Sequence, residues 1–288
     1  MEIVQILVQG ILLGGVYTLF AVGLSLMFGI MRLVNIAHGD LIVLAGFFSY
    51  SIIQMTGLGP LVSLVIVVPA FFAFGYVLQA GILNRTLGDD LLPPMIVTFG
   101  LAIIIQNALL EGYSADSRKL SLGEVETASF ALSEGLAVGV FPLIILAVAV
   151  GTIVALQTLF YRTRLGREFR ATSDDPAAAQ MMGIDTKRIF AISTGIALVV
   201  IGIAGVLMAV RTTFEPLSGP TRLLFAFEAV IIGGLGSIWG TLFGGIALGL
   251  AQAIGGAIDP QFQILAGHLL FLLVLVIRPQ GLFPKVSH

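Results

Sequence analysis

Long apolar runs separated by short polar stretches dominate the chain. Residues 3–31 form one apolar segment, 41–53 a second and 61–83 a third; Pro93-Pro94 opens a fourth that carries Gln106 and Asn107 side by side. Residues 137–160 and 190–210 contain no charged side chain. Pro216, Gly219 and Pro220 mark a break before a half-length run, 223–232, that ends in Gly233-Gly234-Leu235-Gly236-Ser237. A stretch spaced by Gly240, Gly244, Gly245 and Gly249 follows, and 262–277 closes the series. About 20 apolar residues cross the hydrocarbon core as a helix, so the pattern predicts an all-α polytopic membrane protein with about eight to ten transmembrane or re-entrant helices. With 288 residues there is no room for a separate soluble domain; residues 1–288 are expected to form a single transmembrane domain in which 162–188 is a water-exposed loop.

Composition sharpens this reading. The chain is 58% hydrophobic and 10% charged, with a mean hydropathy of +1.07, whereas a soluble domain carries about a quarter charged residues. Cysteine is absent, which excludes disulfide frameworks and thiolate metal sites. The net charge of −2 argues against a nucleic-acid partner. Only Glu2 precedes the first apolar run, without a basic flank or a small-residue cleavage site, so the first helix is expected to stay in the mature protein.

Charge concentrates between the two uncharged runs. Ten of the chain's 30 charged residues lie in 162–188, six of them basic: Arg162, Arg164, Arg167, Arg170, Lys187 and Arg188. Six such cations at the centre of a bilayer would cost about 15–21 kcal/mol, so the stretch lies in water or against a soluble partner. Within it Asp175-Pro176 reads as an N-cap followed by proline at the first helical position, and Gly183 as the residue that ends the helix. The expected helix, about 176–182, offers Ala177, Ala178 and Ala179 for close approach and Met181 and Met182 for adaptable apolar contact. It either docks on another protein or lies on the membrane surface.

Cation counting sets the sidedness. With 162–188 inside, the inner segments hold ten Lys and Arg, Lys285 among them, and the outer segments four. This bias places the N-terminus outside and the C-terminus inside. The acid-rich loop 111–136, with Glu134, falls outside, where it meets a soluble partner or only solvent. The short loop 84–92, with Asp89 and Asp90, falls inside, a place for a second, smaller contact with a soluble partner.

Polar residues within the apolar runs are candidates because such groups are expensive at membrane depth. Asn35, His38 and Asp40 cluster in NIAHGD, where they either brace a helix end or line a pathway. Gln106 and Asn107 face about 100° apart on a helix, so at most one points into a pore. Glu228 sits in the interrupted run, and interrupted helices in transporters often line the site, which adds Gly233, Gly234 and Gly236. His268 stands alone in the last run and is expected to bond a neighbouring helix. One His with one Asp is too few ligands for a metal.

The run GREFRATSDDPAAAQMMGI looks like the cytoplasmic coupling loop of ABC-importer permeases. With NIAHGD at 35–40, GGLGSIWG at 233–240 and RPQGLF at 278–283, the chain resembles the first membrane permease of bacterial high-affinity branched-chain amino acid importers over nearly its whole length. The resemblance implies that the alanine-rich turn and its glycine insert into a groove on an ATPase subunit. Gly166, Arg167, Arg170, Asp175, Pro176, Ala177, Ala178, Ala179, Met182 and Gly183 are then the expected coupling residues. It also implies a second homologous permease, two ATPase subunits that hold ATP and Mg, and a periplasmic substrate-binding protein, all at the bacterial inner membrane. The chain itself is expected to bind no cofactor or metal and to be a transport subunit, not an enzyme. At one point it departs from the family: members often carry a lysine near the start of the 223–232 segment, where this chain has Phe225, with Glu228 one turn later.

Two other classes stand beside this one. An ion-coupled secondary transporter or channel for a small polar solute would need intramembrane charges, for which Glu228 and His268 are the available residues. An intramembrane enzyme would need a nucleophile–base pair or metal-ligand spacing, and neither is evident; GGLGSIWG lacks the lysine of a phosphate-binding loop.

Overall fold

The computed structural model describes residues 2–88, 90–133 and 136–283; Asp89, Glu134 and Lys285 lie outside them. The chain runs through α1 (Glu2–Met31), α2 (His38–Thr56), α3 (Pro60–Gly81, followed by a 3-10 turn at Leu83–Arg85) and α4 (Leu92–Tyr113). A short helix, α5 (Glu124–Thr127), and a hairpin of β1 (Ser129–Ser133) with β2 (Leu136–Gly139) lead into α6 (Val140–Arg162). The charged excursion is α7 (Arg164–Asp174) and α8 (Pro176–Met181), after which α9 (Thr186–Arg211), α10 (Gly219–Gly233), α11 (Ile238–Ile258) and α12 (Phe262–Ile277) complete the bundle. Among the described residues seven helices are long and apolar enough to cross a membrane: α1 to α4, α6, α9 and α11. The 15 residues of α10 and 16 of α12 reach only about 22–24 Å, short of a hydrocarbon core of about 30 Å.

Helix α1 is the hub, packed against α6, α9, α10 and α11. Between helices in lipid there is no hydrophobic gain from mere contact, so close backbone approach decides which faces pair. A Cβ on Gly14 would lie 2.5 Å from Ile246 Cα, and one on Gly249 2.3 Å from Gly10 O, so the α1–α11 seam admits only hydrogen at these positions. The opposite glycines of α11 serve α10: a Cβ on Gly244 would lie 2.1 Å from Ala229 O. The glycine spacing thus gives α11 two close faces.

Two helices start inside the bundle instead of at its surface. After Met31 the backbone climbs back beside α1 until His38 Nε2 donates to Phe20 O at 2.6 Å, eleven residues and about 16 Å before the end of α1. Non-helical backbone at such depth persists only where protein groups satisfy it. Here Thr98 Oγ1 accepts the Ile36 N–H at 3.1 Å, and Asn35 Oδ1 accepts the Ala37 N–H at 3.0 Å. Replacing Thr98 with valine removes that acceptor and should destabilise the bundle by about 1–3 kcal/mol, read as a lower thermal midpoint of the purified protein; an unchanged midpoint would contradict this account of the climb.

Helix α10 starts inside from the other direction. The expected break at Gly219-Pro220 is instead the start of that helix, because proline at the first helical position leaves no needed N–H unpaired. The α2 and α10 N-termini meet: a Cβ on Gly39 would lie 2.0 Å from Gly219 O, and one on Gly219 2.0 Å from Asp40 Oδ1.

Hydrogen bonds between distant segments sort the loops onto two ends. At one end Gln5 exchanges bonds with Ala137 (3.0 and 3.2 Å), and Arg118 pairs with Phe214 as an isolated antiparallel bridge. At the other, Ser173 Oγ donates to Gly29 O at 2.6 Å, Asn84 Nδ2 to Lys187 O at 3.1 Å, and Leu282 N to Ile232 O at 2.9 Å. The loop 111–136 and 162–188 therefore lie at opposite ends. The hairpin is a departure from the expected plain loop: Ser129 pairs with Gly139 and Phe130 with Val138, with a bulge after Ala131. Strands this short carry too little alternation to be read in sequence.

Candidate functional sites: a capped two-helix segment and a buried polar cluster

The excursion 162–188 holds one helix more than expected. Thr163 Oγ1 accepts the Gly166 N–H at 3.0 Å and so caps α7, which folds back on the end of α6. Gly166 lies so close to that end that a Cβ would meet Phe160 O at 2.2 Å. Phe169 is 1% exposed and packs against Phe160 in a tilted pair with centroids 5.3 Å apart. Arg170 donates to Phe160 O and lies over the Tyr161 ring at 5.2 Å, while Arg167 is exposed. Gly166 and Arg170 therefore fasten α7 to the bundle, and the Ser173 bond to Gly29 ties it to the end of α1. A cavity of about 510 Å³ lies beside it, lined in part by Ser25, Gln157, Arg170, Ser237 and Trp239.

Helix α8 is closed at both ends. Asp175 Oδ1 accepts from Ala177 N at 2.9 Å and Ala178 N at 3.0 Å, with Pro176 at the first position. At the other end Ile184 N donates to Ala179 O at 3.0 Å and Gly183 N to Gln180 O at 2.9 Å, with Gly183 at φ 84°. This crossed pair around a left-handed residue is the Schellman arrangement. Ala179 is buried and Ala178 half-buried, whereas Asp175, Pro176 and Ala177 are exposed. Met181 and Met182 are 82% and 83% exposed. A short, stiff helix thus presents two adaptable apolar side chains to water.

The intramembrane candidates separate into different roles. Asn35 and His38 are fully buried and bond backbone, and Asp40, 3% exposed, accepts from Gln106 Nε2 at 2.9 Å. The NIAHGD group braces the inner start of α2. Asn107 lies on the exposed face of α4 and donates to Ile103 O at 2.8 Å, so Gln106 and Asn107 do face different ways. Gly233 ends α10, and Gly234 and Gly236 follow with φ of 110° and 78°. A Cβ on Gly281 would meet Gly234 Cα at 2.5 Å, and Phe283 N donates to Gly233 O at 2.9 Å. The GGLGSIWG and RPQGLF stretches are thus laced together.

Glu228 is 1% exposed and its carboxylate meets His268 Nδ1. Phe225 stacks with His268 at 6.4 Å between centroids and meets Tyr17 in a tilted pair at 5.1 Å. Tyr17 OH donates to Gln252 Oε1 at 2.5 Å. Tyr17 also lies within electrostatic reach of Arg211, Arg222 and Glu228. Tyr17, Gln252, Arg211 and Arg222 were not legible as a site from sequence; the available signal was a polar tip inside an apolar run for the first two and a cation flanking one for the others. Away from the membrane helices, Lys119 pairs with Glu126 and holds its carboxyl below the usual carboxylate range.

A family model described as branched-chain amino acid transport system / permease component matches residues 6–277. The chain belongs to this permease family. It is 29% identical to the high-affinity branched-chain amino acid transport system permease protein BraD of Pseudomonas aeruginosa, over 98% of this chain and 95% of that protein. It is 28% identical to the corresponding LivH of Escherichia coli, again over 98% and 95%. Escherichia coli LivM, also named as a permease of the branched-chain system, is 25% identical over 93% of this chain and 68% of its own length. No solved structure matches the chain significantly. The family match runs from α1 to the end of α12, so the capped segment and the buried cluster both belong to the permease domain.

Proposed function

We propose that this permease forms half of the translocation pathway of an ATP-driven importer for amino acids, branched-chain ones or related small amides, in the bacterial inner membrane. Helix α8 is its mechanical link to an ATPase subunit. The observation that carries the link is the capped, exposed α8 fastened through α7 to the end of α1, because a push on a stiff element reaches the bundle without being absorbed in a loop. The two Escherichia coli relatives are distinct permeases of the branched-chain system, which favours a second, different permease as the other half of the pathway. ATP and Mg belong to the ATPase subunits, and a periplasmic binding protein delivers the solute to the end that carries the hairpin.

Purification of the full chain with its co-eluting subunits, followed by reconstitution, tests this reading. Two ATPase subunits should co-elute, and labelled leucine should accumulate with ATP in the presence of a protonophore. Leucine uptake that the protonophore abolishes, with no ATPase in the preparation, would instead establish ion coupling. Sidedness has its own measurement: Ser117→Cys and Met181→Cys, both at exposed positions, should react with an impermeant maleimide from the periplasm and the cytoplasm respectively. Reaction of both from one side would overturn the topology.

A further inference from the structure

Five helices send polar or ionisable groups to one region of the bundle: Tyr17 from α1, Arg211 from the end of α9, Arg222 and Glu228 from α10, Gln252 from α11 and His268 from α12. Such a convergence at membrane depth is expensive and marks function by default. The cluster is also unfinished. Among the described residues Glu228 Oε2, Gln252 Nε2 and Arg211 Nη1 are buried without a hydrogen-bond partner, and Glu228 and Gln252 are each 1% exposed. Buried polar atoms are ordinarily satisfied, because leaving one bare costs the whole desolvation of the group.

The bare atoms are complementary in kind. Arg211 and Gln252 supply donors, one of them cationic, and Glu228 supplies an anionic acceptor. Arg222 lies six residues before Glu228 on α10, about 9 Å along the axis, so positive groups precede the negative one for a solute entering from the hairpin end. Between them the Tyr17, Phe225 and His268 rings form an aromatic wall, and His268, with its side chain 33% exposed, opens the edge of the cluster.

We propose that this cluster is a recognition site for a small zwitterion with an apolar side chain: Arg211 and the Gln252 amide take its carboxylate, Glu228 takes its ammonium, and the three rings flank its side chain. This assignment rests on the amino-acid import reading above and adds the residues that recognise the solute within this chain. An uncharged solute would leave the bare donors and acceptor unsatisfied, and an inorganic ion would satisfy only one sign.

The test is equilibrium binding of labelled L-leucine to the purified complex containing the full chain, without the binding protein, competed by isocaproate (carboxylate only) and isoamylamine (ammonium only). Glu228→Gln keeps a hydrogen bond to His268 but removes the charge; it should weaken leucine about tenfold and leave isocaproate unchanged. Arg211→Gln should weaken leucine and isocaproate together and leave isoamylamine unchanged. Gln252→Met, a neutral and similarly sized change, should follow Arg211→Gln, and it decides the matter if a charge variant does not assemble. Absence of leucine binding by the unaltered complex, or variants that affect both half-analogues alike, would overturn the site. Intact ATP-driven uptake with that pattern missing removes only the site, whereas absence of ATP-driven leucine uptake removes the import reading beneath it.

Discussion

Gly183→Val and Ala178→Trp are each expected to leave the permease inserted and folded yet without a functional ATPase contact, with transport-coupled hydrolysis lost. At Gly183 the space around an added Cβ is open, since no heavy atom lies within 4 Å of it. The penalty comes from the backbone: φ is 84°, and a β-branched residue there costs about 1–2 kcal/mol or more. The Schellman closure would open and release the end of α8. Gly183→Asn provides the contrast, because asparagine visits the left-handed region at lower cost and should retain most of the activity. At Ala178 the reason is bulk. The residue is half-buried, beside buried Ala179, so an indole would lift the helix from its seat or fill the docking face. Substrate-stimulated ATPase activity and subunit co-elution are the measurements, and normal values for both variants would remove α8 from the coupling mechanism.

Gly39→Val should have the other large effect, loss of the folded permease. The Cβ would sit 2.0 Å from Gly219 O and 2.7 Å from Leu223 N, and both atoms are backbone. No rotamer change relieves such a clash. The α2 and α10 N-termini would have to separate, which also strips Asp40 from its position against Gly219 and Gln106. Overpacking of an ordinary core costs about 1–3 kcal/mol, and here two interior helix starts move together, so a larger effect is expected. Expression as a monodisperse species in detergent is the readout. Gly39→Ala should already reduce it, and a well-behaved Gly39→Val protein would show that the helix starts are not locked together.

These two predictions fall on elements with different legibility. Helix α8 could be read because all its determinants are local: Asp175, Pro176 and Gly183 each act within one turn of the backbone they cap, and the structure finds them doing so. Helix α7 was missed although Thr163 caps it, because its reason for existing is the fit of Gly166 and Phe169 against the end of α6. Pro216, Gly219 and Pro220 read as a break for a similar reason. Whether proline ends one helix or begins the next depends on where the chain can pack, and α10 begins there because α2 presents Gly39 to receive it.

The sequence by itself determined the class of protein, the number of long apolar helices to within a few, and the placing of 111–136 and 162–188 at opposite ends, since these follow from hydropathy and charge, which sum over residues regardless of their neighbours. The glycine spacing of α11 was legible as well, although which of those glycines face α1 and which face α10 was decided by the fold. Only the tertiary structure decided that α2 and α10 start within the bundle, and that Glu228 meets His268 from 40 residues away. It likewise decided that Tyr17 and Gln252, 235 residues apart, share a hydrogen bond beside them. A polar side chain in an apolar run announces that it needs a partner. Which partner it finds depends on helix rotation and depth, and those are set by the packing of all the other helices at once.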